Sequence, residues 1–217
     1  ERVAVFGRSY LVITDGFSRI LALLPFSVQQ LHPDNGSEFF NNHMLRFWHG
    51  LKPKPRLSRS RPYHKNDNRF VEQKNSTLVR AYLGDHRLDT VAHTQALNHL
   101  YERMWLYYNF FQPVMHLTEK TAIHTEGQTA RIRRRYDTAQ TPFDRLCATD
   151  AIAPEDRDRL QALRDQTNPR RLRQDIYQLI DDLLALPGAI PGKTENIYHT
   201  LSTPISSQEG EDTLVTL

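Results

Sequence analysis

Only eight residues separate Pro25 from Asp34, and that interval limits what the first part of this 217-residue chain can build. A crossover that returns a parallel strand to its own sheet needs about a dozen or more residues, usually helical. Val28 to Leu31 supplies a stub of strand in that interval, and no helix fits beside it. Upstream, the β-branched and aromatic runs Arg2 to Phe6, Tyr10 to Thr14 and Arg19 to Leu24 are separated by Gly7-Arg8-Ser9 and by Asp15-Gly16. This pattern predicts three antiparallel strands joined by tight turns. Downstream, Asp34-Asn35-Gly36-Ser37 marks a turn and a helix start, after which Phe39, Phe40, Met44, Leu45 and Trp48 recur at helical spacing through His49. Pro53, Pro55 and Pro62 break regular structure, so 50–66 is expected to be a basic loop around a short strand. Further helices are expected from Asp67 to Leu83, stopped by Gly84, and from Thr90 to Phe111, ending before Pro113.

The later part of the chain reads as helical. Thr141 to Cys147, Pro154 to Asp165 and Pro169 to Leu186 have helical patterns, the last two opened by proline at a first-turn position. Ile176, Leu179, Ile180, Leu183 and Leu184 form an apolar stripe that packs on the core or on another subunit. Residues 187–217, rich in Gly, Pro, Ser and Thr, have the composition of a disordered tail. The aromatic cluster Trp105, Tyr107, Tyr108, Phe110 and Phe111 suits core packing better than base stacking.

Charge is unevenly distributed. Residues 1–150 carry 21 Lys and Arg against 14 Asp and Glu, whereas residues 151–217 carry 7 against 11. Between Arg46 and Arg80, ten basic residues face only Asp67 and Glu72. A polyanion partner follows from such a stretch, with a solvated basic surface as the plainer reading. The single cysteine, Cys147, excludes an intramolecular disulfide framework and a multi-cysteine zinc site, and makes the cytoplasm the default compartment. No apolar run approaches the roughly 18 residues of a membrane span, so no membrane partner is expected. The start, Glu1-Arg2, lacks the pattern of a secretion signal, and a first residue other than Met suggests a fragment.

Two carboxylates stand in informative company. Asp34 lies in His32-Pro33-Asp34-Asn35-Gly36-Ser37-Glu38-Phe39, and Glu72 in Lys65-Asn66-Asp67-Asn68-Arg69-Phe70-Val71-Glu72-Gln73-Lys74-Asn75, with thirty-seven residues between the two acids. Taken alone, Asp34 is explained as a turn or helix-cap residue and Glu72 as an exposed helical one. An EF-hand reading of 34–39 fails on spacing. An acid on a loop and another on a helix surrounded by Lys, Arg and Asn suits a magnesium site working on nucleic-acid phosphate.

Together the two segments resemble the catalytic core of DDE transposases and retroviral-type integrases, in particular those of bacterial insertion sequences, and the resemblance extends over roughly residues 1–186. It implies a ribonuclease-H-like α/β fold, with a mixed central sheet flanked by helices and followed by a small helical C-terminal region. It implies metal-dependent DNA cleavage and strand transfer, with two Mg²⁺ or Mn²⁺ ions held by an acid triad. Asp34 matches the second acid and Glu72 the third, at a separation slightly longer than is usual, which implies an insertion within 50–62. Glu1 stands where the family places its first Asp. Either Glu replaces Asp there, or the register differs and the Asp lies upstream; Asp15 is a further candidate ligand.

Lys65, Asn66, Arg69, Lys74 and Asn75 flank Glu72 as expected DNA contacts, and Arg133 and Arg134, in a stretch from Arg131 to Pro142 that resembles the one following the core in these transposases, are expected to bind DNA by clamping phosphates outside the catalytic centre. The expected division is a catalytic core over 1–130, a basic linker and helical region over 131–186, and a tail over 187–217. The expected partners are DNA, as element ends and target, and an oligomer of this chain with itself or with an intact transposase. The short interval before Asp34 leaves no place for one core helix, so the core reads as internally deleted. A noncatalytic DNA-binding remnant is the alternative function.

Overall fold

The computed structural model describes residues 2–33, 36–61, 69–123, 131–202 and 215–216. The chain is a mixed α/β protein in which helices predominate and the described strands form three two-stranded sheets. It divides into two compact units, Glu1–Glu102 with Gln174–Leu217, and Arg103–Arg173.

The first unit opens differently from the expected three strands. Residues Tyr10–Leu23 form a helix, α1, capped by Ser9, whose hydroxyl accepts from the Val12 amide at 3.4 Å. The adjacent residues Val12 and Ile13 are both buried. A half-buried strand sends neighbours to opposite faces, whereas a helix can sink both into one broad stripe, and here packing overrides β-propensity. Asp15 and Gly16 therefore lie inside a helix rather than at a turn. The segment before α1 gains no strand partner. Its Ala4 instead exchanges both backbone hydrogen bonds with the side-chain amide of Asn98, at 2.8 and 3.0 Å.

After α1 the chain forms a β–α–β unit: β1 (Gln30–Leu31), α2 (Asn42–Gly50) and β2 (Arg56–Leu57). The strand stub expected at 28–31, the helix expected through His49 and the short strand expected within 50–66 all form here. Strands β1 and β2 pair in parallel, Gln30 opposite Arg56 and Leu31 opposite Leu57. Helix α2 supplies the crossover between them, and no helix lies between Pro25 and Pro33, in keeping with the short interval before Asp34. Asn41 caps it, accepting from the Met44 amide at 2.9 Å. Met44 and Trp48 are fully buried against Ile13 and Phe17 of α1 and Leu31 and Leu57 of the strands. Phe17 meets Trp48 edge-on at 4.4 Å, and Tyr10 stacks on His43 at 4.1 Å.

Helix α3 (Arg69–Asn75) continues through a π-helical turn, Ser76–Arg80, into the short α4 (Ala81–Leu83). Gly84 ends the run at φ 60°, a conformation glycine adopts without steric cost. Helix α5 (Val91–Phe110) matches the expected span closely.

The segment after 187 is structured through 202, contrary to its tail-like composition. It carries strand β5 (Thr194–Glu195) and a 3₁₀ turn, Ile197–Thr200, with Ile197 buried. Hydrogen bonds tie it down. The Glu195 carboxylate accepts from the Val91 amide at 3.2 Å, Asp89 accepts from the Ala189 amide at 2.9 Å, and Gln95 donates to the His199 carbonyl at 2.9 Å. Composition hides these contacts because each joins residues about a hundred positions apart. Residues 203–214 and 217 lie outside the described part of the proposed tail.

The second unit contains the end of α5, an antiparallel ribbon of β3 (Leu117–Ile123) and β4 (Arg131–Tyr136), then α6 (Pro142–Cys147), α7 (Pro154–Gln166) and the first turn of α8 (Pro169–Leu184). The three helices appear where the sequence puts them. Helix α6 begins with a capping box in which Thr141 and Asp144 satisfy each other's backbone amides. Phe110, Phe143, Ile152 and Leu160 form the core, with Trp105, Phe111 and Leu146 packed against it. The aromatic cluster before Pro113 thus contributes to the core through Trp105, Phe110 and Phe111. The stripe on α8 is buried in the first unit at Ile176, Ile180 and Leu183.

Candidate nucleic-acid site

The parallel pairing of β1 and β2 runs beyond the two strands toward Asp34. The Arg56 amide donates to the Gln29 carbonyl at 2.9 Å, the Ser58 amide to Leu31 at 3.0 Å and the Ser60 amide to Pro33 at 3.4 Å. This two-residue rhythm brings the chain, still paired, to the residue immediately before Asp34. In α/β folds the carboxyl ends of parallel strands are where ligand-binding and catalytic groups gather.

Side chains at that end form a polar cluster. His32 has Ser58 Oγ 2.8 Å from Nδ1 and Ser60 Oγ 3.4 Å from Nε2, so its ring is held between two hydroxyls. Gln30 also donates to Ser58 Oγ, at 2.7 Å. Ser60 is buried, and the Arg59 guanidinium lies 4.9 Å from the Phe40 ring centre, a cation–π arrangement. Sequence reasoning passed over His32, Ser58, Arg59 and Ser60. Their available signal was the alternation Ser58-x-Ser60 after a two-residue strand, which gains meaning only once the partner strand is known.

Of the expected acids, Glu72 alone belongs to the described residues. It lies on α3 and is exposed, as are Val71, Gln73, Lys74 and Asn75 around it. Leu78 and Leu83 anchor the run further along. Helix α3 therefore offers Glu72, Lys74 and Asn75 to solvent rather than to a core. Asp34 and Glu1 lie outside the described residues, as do Lys65 and Asn66; Arg69 is described only as the first residue of α3. One contact connects the start of the chain to this helix, as Arg2, next to Glu1, donates from Nη2 to the Lys74 carbonyl at 3.5 Å. Asp15 is committed elsewhere. Its Oδ1 accepts from both the backbone amide and the hydroxyl of Ser202, which gives it a structural task.

Arg133 and Arg134 belong to β4, exposed, in the second unit. Near the foot of that ribbon, Arg145 grips Asp137 through two hydrogen bonds of 2.7 and 3.2 Å, and the His116 amide donates to Asp137 at 2.7 Å. The Arg145 hydrogen bond, with the His116 amide next, holds the Asp137 carboxyl below its ordinary range. Asp144 is likewise lowered, first by the Thr141 hydroxyl and then by Arg164, which pairs with it at 2.7 Å.

Carboxylates are hard oxygen donors, and an Asp–Glu set suits Mg²⁺ or Mn²⁺ in donor chemistry. Among the described residues no three His, Cys, Asp or Glu side chains gather as a metal site, and two of the three expected ligands lie outside those residues. No described helix is long and apolar enough to cross a membrane.

No protein-family model matches the chain, and no solved structure matches it significantly. Over 147 residues, 67% of this chain, it is 37% identical to a Sinorhizobium fredii (strain NBRC 101917 / NGR234) protein described as "Uncharacterized protein y4rM". The matched region spans 39% of that relative's length, so this chain is similar to less than half of it.

Proposed function

We propose that the first unit is the core of a DNA transposase or integrase, a reduced ribonuclease-H-like fold that cleaves and joins DNA strands with Mg²⁺ or Mn²⁺. The observation that carries this reading is the parallel β1–α2–β2 unit, whose hydrogen bonding continues to Pro33, directly before Asp34 in the sequence. An acid at the carboxyl end of a parallel strand, followed by a crossover helix and then a helix bearing Glu72, follows the order of the family's second and third acids.

In this reading Asp34, Glu72 and Glu1 would hold the metal ions, and the chemistry such ions would supply is activation of an attacking oxygen and stabilisation of the leaving oxygen in an in-line displacement at phosphorus. Lys65, Arg69 and Lys74 neutralise backbone phosphates, while Asn66 and Asn75 donate hydrogen bonds to them. The exposed face of α3 leaves a duplex free to approach Glu72 without displacing packed side chains. His32, fixed between Ser58 and Ser60, stands two residues before Asp34 in the sequence.

A second reading, a noncatalytic DNA-binding remnant, is favoured by one specific observation. Residues Tyr10–Leu23 are helical where an intact core of this kind has strands, so the sheet that would support a first acid is lacking among the described residues. Nicking of supercoiled DNA separates the two. Metal-dependent nicking that disappears in Asp34→Asn and in Glu72→Gln supports the enzyme. Folded protein that binds DNA and never nicks it supports the remnant and rejects the catalytic reading.

A further inference from the structure

The β3–β4 ribbon has no packed face. All thirteen residues of its two strands are exposed, including Leu117, Ile123, Ile132 and Tyr136. A two-stranded ribbon is marginally stable alone in water, since it buries too little apolar surface to offset chain ordering. This one is braced near its foot by the Asp137–Arg145 pair, by the bond from Arg145 to the Val114 carbonyl at 2.8 Å and by the bridge between Val114 and Gln140.

Its charge is one-sided. The two strands carry Lys120, Arg131, Arg133, Arg134 and Arg135 against a single acid, Glu119. Register and strand alternation put Arg131, Arg133 and Arg135 on one face, opposite Ile123, Thr121 and Glu119 respectively. Successive arginines on that face are about 6.8 Å apart, close to twice the 3.4 Å axial spacing of charges along one DNA strand. On the other face Lys120 sits directly opposite Arg134, a like-charge pair that costs stability in an isolated ribbon. None of these four arginines has a side-chain hydrogen bond or ion pair among the described residues.

A ribbon that is fully exposed, lined with cations and internally repelled is stabilised by a polyanion. The major groove of B-form DNA admits a two-stranded β-ribbon, so a duplex fits its dimensions. We propose that the β3–β4 ribbon is a DNA-binding arm that enters the major groove of a duplex, with Arg131, Arg133 and Arg135 as its anchoring cations. DNA is the partner shared with the proposed function; the arm adds a mode of engagement that needs no metal and no catalytic acid.

The test is binding of the full chain to a short labelled DNA duplex of mixed sequence in EDTA, measured across salt concentration. Losing three phosphate contacts flattens the slope of log affinity against log salt by about 2.7, so wild type should lose about 40-fold more affinity than R131S/R133S/R135S between ~50 and ~200 mM salt. The corresponding triple lysine variant should keep the wild-type slope. If the serine variant fails to fold, Arg133→Glu alone must flatten the slope by about 0.9 or more. An A-form RNA duplex, whose major groove is too narrow for side chains to read, should compete poorly.

The arm is overturned by an unchanged slope in the folded serine variant, by absence of duplex binding in the wild type, or by equal competition from RNA duplex or single strands. Loss of nicking in Asp34→Asn with this salt response intact leaves the arm standing. Nicking retained alongside an unaltered slope in the serine variant removes only the arm.

Discussion

The two compact units are built from different kinds of interaction. The helices of the second unit take their starts from near neighbours, through the Thr141–Asp144 capping box and the prolines opening α6, α7 and α8, although its core still joins Phe110 to Phe143. The first unit depends on partners far apart in sequence, such as Ala4 with Asn98, Asp89 with Ala189, and Leu31 of β1 with Ser58 beyond β2. Local signals survive in a sequence read alone, and distant ones do not. This difference explains why the helices of the second unit were predictable and why the opening of the first was not.

Tyr10-Leu11-Val12-Ile13-Thr14 shows this most clearly. Its β-branched content argues for a strand, and it becomes a helix because Val12 and Ile13 are buried together, with Ile13 packing against Met44 and Trp48 thirty or more residues away. The segment 187–202 departs from its tail-like composition for the same reason, since Ile197 and Glu195 act through α1 and α5 rather than through neighbours. The ribbon was missed although Arg131-x-Arg133-x-Arg135 has the two-residue period of a strand, because its apolar partners alternate too weakly to stand out from a basic linker. At the candidate site, the motifs around Asp34 and Glu72 are read from sequence alone, whereas the hydroxyl cradle around His32 depends on pairing between β1 and β2.

The contrast between the units can be broken experimentally, most strongly at the core of the first. Trp48→Ala removes a fully buried indole and should cost about 3–5 kcal/mol, loosening α1, α2 and both strands together. Hydrogen exchange followed by mass spectrometry would show it: joint loss of protection in 10–23 and 42–57 is expected, and loss confined to α2 would contradict the packing of α1. Gly16→Ala should cost less, about 1–3 kcal/mol, because a Cβ there would lie 2.9 Å from Val5 Cγ1. Thermal melting checks it, and an unchanged or raised midpoint would reject the close approach of the N-terminal segment to α1.

In the second unit, Thr141→Ala removes a cap worth about 1 kcal/mol and should raise exchange in α6 while leaving α2 unaffected. Acid should act in the same place. Asp137 and Asp144 have folded pKa values below their ordinary 3.8, so their contribution is fully present above that value and is lost as pH falls through the lower folded values. Exchange protection at the ribbon foot and α6 should therefore decline below about pH 4, with Asp137→Asn and Asp144→Asn removing that pH response. Persistence of the response in the double variant would assign it to other carboxylates. The smallest effect is expected at Glu72→Gln, within about 0.5 kcal/mol in stability, because the side chain is exposed.

That stability-neutral substitution makes Glu72 the best handle on whether Asp34 and Glu72 serve one metal centre. The most direct measurement is titration of Mn²⁺ into the full chain by electron paramagnetic resonance, with Asp34→Asn and Glu72→Gln in parallel. Binding that weakens at least tenfold in each single variant, and no further in the double variant, is the expected result. Mn²⁺ binding unchanged by Glu72→Gln in a folded protein would contradict a shared centre and leave the two acids as a turn residue and a surface helix residue.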